Sequence, residues 1–184
     1  MSIDLCVFYS LIDNSLLPVS ECEIDRVLWE YVGERTRMIH EADSSLRVWS
    51  KRCKSASLVS ELLEMSESKV DLWFLTDDDD FSEGSLRVIP FECYDSYILE
   101  VQRLIQWSKN NMDKVRPLAY RWLGDDDGKD IDQEIDKALM TQRININDEF
   151  FSHYSLLLYL SAVVKMLREA MSKKMSIVVD MSWM

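Results

Sequence analysis

The sequence predicts an α+β fold: a mostly helical single domain spanning residues 1–184, with a small sheet that includes the N- and C-terminal strands. Three observations predict it. Both ends of the chain alternate apolar and polar residues with period two, and the interior carries apolar residues at helical spacing. Glycine and proline are scarce, four and three respectively, too few for a turn-rich sandwich or barrel. Hydrophobic residues make up 47% of the chain, with six Trp, seven Tyr and six Phe, which is ample for a core and excludes wholesale disorder. A length of 184 residues suits one domain.

The first element is SIDLCVFYSLID. Ile3, Leu5, Val7, Tyr9 and Leu11 fall on one face of a strand, while Phe8 and Ile12 fall on the other and predict partial cover there too. Ser20 and Glu23, just after Pro18, form a capping box. Ile24, Val27, Leu28, Tyr31 and Val32 then make one apolar helical stripe. The spacing of Leu46, Trp49, Cys53 and Ala56 predicts a second helix, and Leu58, Val59, Leu62 and Leu63 a third that continues it or follows it.

VDLWFLT (Val70 to Thr76) fits a buried strand and a helical turn equally. SLRVIPF (Ser85 to Phe91) reads as a strand, and Pro90 pushes it to an edge or a strand end because proline has no N–H for a ladder. Tyr97, Ile98, Val101, Leu104 and Ile105 predict a helix from about Ser96 to Asn110. Another is expected from about Asp113 to Leu123, closed by Gly124. Ile131, Ile135, Ala138 and Leu139 mark a further amphipathic helix. The longest helix is expected from about Asp148 to Ser172, apolar nearly all round in its middle, as a central buried helix is. Last comes MSIVVDMSWM, with Met175, Ile177, Val179, Met181 and Trp183 alternating with Ser176, Asp180 and Ser182. The two terminal strands need partners for their backbone groups, and pairing with each other would tie the ends together.

Composition narrows function before any motif does. The start, Met-Ser-Ile-Asp, has no basic segment and no cleavage signature, so no export signal is expected. The most apolar run, Ser155 to Val164, is about half the ~20 residues a membrane span needs. Cys6, Cys22, Cys53 and Cys93 are scattered without a CxxC pair, which suits reduced thiols and a cytoplasmic location. A net charge of −12 disfavours nucleic acid and anionic membrane surfaces, both of which call for Lys and Arg, and it suits a basic protein partner. That charge is uneven. Arg35 to Lys54 holds six bases against Glu41 and Asp43, a segment of +4 that leaves −16 for the remainder.

The acid excess is densest in two runs, WFLTDDDDFSEG (73–84) and WLGDDDGKDIDQEID (122–136). The second resembles a calcium loop: with Gly128 at position 6, Asp125, Asp127 and Glu134 occupy positions 3, 5 and 12. Leu123 at position 1 and Asp130 at position 8 break the register. In the first run Gly84 at position 6 leaves Phe81 and Pro90 at positions 3 and 12, so no metal site is expected in either. Catalytic carboxylates need one desolvated acid, and adjacent aspartates instead favour water. Asp71, beside Trp73, and Asp180, in the last strand, suit such chemistry better, though both read first as solvent-facing or turn residues.

His40 and His153 are the two histidines, so a Cys–His or Ser–His–Asp centre must use one of them. The chain has no HExxH, GxSxG, GxGxxG or P-loop, and no close Cys/His pairing for zinc; no cofactor is expected. What remains is an interaction surface: Asp77, Asp78, Asp79, Asp80 and Glu83 in the first run, and Asp125, Asp126, Asp127, Asp130, Asp132 and Glu134 in the second. Aromatics flank both, and opposite charge speeds encounter with a basic partner while buried aromatics supply affinity. The competing reading of each run is a solvated loop.

Charge and class together point to an immunity or antitoxin-like inhibitor, because a nuclease toxin needs a basic cleft that carboxylates can fill in place of phosphates. One alternative is a hydrolase or transferase built on His40 or His153. Another is a regulatory or assembly subunit in which the +4 segment meets the acidic runs of a second copy.

Overall fold

A computed structural model describes residues 5–17, 20–40, 48–76, 86–123 and 153–183. Its centre is a four-stranded antiparallel sheet of β1 (Leu5–Asp13), β2 (Val48–Arg52), β3 (Leu86–Ile89) and β4 (Met175–Trp183), in the order β2-β1-β4-β3. Around it lie α1 (Glu21–His40), α2 (Cys53–Met65), α3 (Tyr94–Asn110), α4 (Met112–Leu123) and α5 (His153–Lys173). The fold is α+β, mostly helical, with both terminal strands in the sheet.

The two terminal strands are the inner pair. They match along their whole lengths, from Leu5 opposite Trp183 to Asp13 opposite Met175. Alternation then divides their side chains between two faces. Tyr9, Leu11, Ile177 and Val179 enter the main core, which α2, α3, α4 and α5 complete. Ile12 and Val178 point the other way and close with Leu28 of α1 into a smaller cluster, flanked by Ile24, Tyr31, Leu86 and Val88. The second-face cover expected from Ile12 is therefore a helix.

Two local contacts fasten the strand ends. Lys174 has φ 54°, a left-handed conformation that stops α5 and starts β4 one residue later. The Asn14 side-chain amide donates to the Lys174 carbonyl at 2.7 Å, and its oxygen accepts from the Ser176 hydroxyl. The Tyr31 hydroxyl donates to the Leu11 carbonyl, joining α1 to β1.

One expected helix is a strand. Val48–Arg52 forms β2, pairing with β1 from Cys6 opposite Arg52 to Ser10 opposite Val48, and the helix begins only at Cys53. The helical spacing of Leu46, Trp49, Cys53 and Ala56 lost to a non-local demand. With β4 on one side, β1 still offers a row of backbone donors and acceptors on the other, and β2 satisfies it. Val70 to Thr76 is neither strand nor regular helix; it is a turn in which Leu72, Trp73, Phe74 and Leu75 are all buried. β3 stands last in the sheet order and ends at Ile89, so Pro90 lies just beyond the strand, where its missing N–H costs the ladder nothing. The expected helix at Ile131 to Leu139 and the start of the long helix at Asp148 lie outside the described residues.

Candidate functional site

The first acidic run follows the turn at residues 72–76 in the sequence and precedes β3. Four consecutive buried apolar residues have neither period two nor period 3.6, so they cannot lie along one element's apolar face. They plug the core as a single turn, closed by the Leu75 N–H donating to the Leu72 carbonyl at 2.8 Å. Such a turn leaves buried carbonyls that need donors. The Tyr9 hydroxyl supplies one, to Phe74, and lies 3.3 Å from the Tyr159 hydroxyl. Burial, and then the neighbouring Tyr159 phenol, raise the pKa of Tyr9 well above its ordinary value; burial raises Tyr159 too.

Aromatic packing locks the same turn. Phe74 meets Tyr9 edge-on at 6.4 Å, Trp73 at 5.8 Å and Tyr97 of α3 at 5.2 Å between ring centroids. Arg87 lies over the Trp73 ring, 4.0 Å from its centroid. Trp73 precedes the run and Arg87 follows it, so this stack joins the two stems from which residues 77–85 emerge. Arg87 shares its sheet face with Ile89 and thus lies on the main-core side. The Thr76 hydroxyl donates to the Trp73 carbonyl at 3.3 Å and tightens the exit.

Around the stems stand Asp71, exposed, and Cys93, a half-buried free thiol. Burial chiefly raises the pKa of Tyr97; the Cys93 thiol and Asp71 add to the rise, and a hydrogen bond with Trp73 opposes it. Neutral at physiological pH, Tyr97 is a packing and hydrogen-bonding group.

Asp77 to Asp80, Glu83, Asp125 to Asp127, Asp130, Asp132 and Glu134 lie outside the described residues, so the structure brings together the anchors of the first run and not its acids. The second run follows α4 directly, after Leu123. His40 ends α1 and His153 begins α5; their side chains also lie outside the described part. Asp180 departs from its solvent-facing expectation. It is 5% exposed, because β4 is an inner strand and its residue shares the α1 face with Val178. Asp180 sits opposite Leu86, where the first run returns, and has an interaction partner.

The strongest polar network in the described residues escaped the sequence. Arg103 of α3 donates through Nε to both Glu100 oxygens at 2.9 and 3.0 Å, and through Nη2 to Oε1 at 2.6 Å. Its remaining bonds reach across to the end of α2, to the Ser66 carbonyl and hydroxyl, each at 3.0 Å. The Ser68 hydroxyl donates to Glu100 at 2.6 Å. Arg103's hydrogen bonds, above all, hold the Glu100 carboxyl below its ordinary value. The (i, i+3) spacing of Glu100 and Arg103 was readable; the link to Ser66 was not.

Among the described residues no group of three His, Cys, Asp or Glu side chains is placed to hold a metal ion, and no helix is long and apolar enough to cross a membrane. Among the described residues the site is thus a packed aromatic cluster formed by the two stretches that flank the first acidic run in the sequence. Compared with family models, curated proteins and solved structures, the chain matches none of them.

Proposed function

We propose that the chain is an acidic binding protein that docks on a basic surface of a protein partner, as an immunity or antitoxin-like inhibitor does on the basic cleft of its toxin. The observation that carries this reading is the anchoring of the first acidic run. Asp77 to Asp80 and Glu83 follow a fully packed turn and precede a sheet strand, and the Trp73–Arg87 stack holds the two stems together. A segment whose two flanks are held this way loses less conformational entropy on binding than a free tail of the same charge. Its carboxylates raise the rate of encounter with a basic cleft and take the positions of substrate phosphates there. The net charge of −12 and the second run after α4 add to the same field.

The test compares three versions of the chain: wild type, one with Asp77 to Asp80 and Glu83 changed to Ser, and one with Asp125 to Asp127, Asp130, Asp132 and Glu134 changed to Ser. Each is used to capture partners from the native host at moderate salt. The expected result is a basic protein, retained by wild type, weakened by rising salt and lost from at least one variant. Equal retention by both variants would remove the acidic runs from the mechanism. A genomic neighbour encoding a basic toxin directly upstream supports the assignment, whereas a metabolic operon counts against it.

A further inference from the structure

We draw no further inference here: the strongest candidate, the half-buried Cys93 thiol at the start of α3, hydrogen-bonded with Tyr97 beside the aromatic cluster, is a lone cysteine with nothing next to it among the described residues that points to a ligand.

Discussion

Replacing Arg103 by Met isolates the polar network between α2 and α3. Methionine keeps the apolar stem of the side chain and deletes the guanidinium, so lost packing contributes little. Glu100 is only 8% exposed, and without Arg103 its carboxylate keeps the Ser68 hydroxyl as a donor. An exposed ion pair would be worth about 0–1 kcal/mol, and breaking a fully buried one costs about 3–5 kcal/mol. Arg103's side chain is 39% exposed and that of Glu100 10%, which sets the expected loss between these limits, at about 2 kcal/mol.

The same pair predicts a pH dependence. Glu100 in the folded protein titrates below its ordinary value of 4.5, so the stability it contributes is fully present above 4.5 and is lost as pH falls through the lower, folded value. The gap between wild type and Arg103→Met therefore narrows in acid. It does not vanish, because the two bonds from Arg103 to Ser66 do not depend on a carboxylate. Urea unfolding followed by circular dichroism, at neutral pH and at several values below 4.5, measures both effects. A neutral-pH difference under about 0.5 kcal/mol, or one that stays constant into acid, would refute the reasoning.

Further outcomes follow from the core and its stems. Tyr9→Phe leaves the Phe74 carbonyl without the donor described above and should cost about 1–3 kcal/mol in the same assay. Tyr9 and Tyr159 keep their protons in the folded state beyond the ordinary value of 10.0, so stability falls as pH rises above it; their ultraviolet ionisation should coincide with alkaline unfolding. Arg87→Gln removes the stack on Trp73 and should cost about 0.5–1 kcal/mol, checked by the same unfolding curves. Lys174→Gly relieves a side chain held at φ 54° and is expected to stabilise by up to about 1 kcal/mol, seen as a higher thermal midpoint.

The elements that sequence reasoning located carry their signal within a few neighbouring residues. β1 and β4 show period two because successive side chains of a strand point to opposite faces, and where both faces are buried the alternation gives way to consecutive apolar residues, at Leu11 and Ile12 and at Ile177, Val178 and Val179. The stripe of α3 from Tyr97 to Leu104 is as local, and its start shifts by only two residues, to Tyr94. Pro90 marks the end of β3 through its missing donor alone.

Where the signal is not local, the sequence is silent or misleading. Val48–Arg52 is a strand because β1 has an unpaired edge, a fact written forty residues away. Asp180 is buried on the sheet face it shares with Val178, in an inner strand, and Arg103 matters because α2 ends beside α3. For the site, charge and composition identified the acidic runs, since like charges in series need no fold to be recognised. That the first run grows from a packed aromatic turn, with Arg87 laid on Trp73, was decided by tertiary contacts among β1, α3 and β3. Periodicity reports which face of an element is apolar; only packing of the elements decides what that face meets.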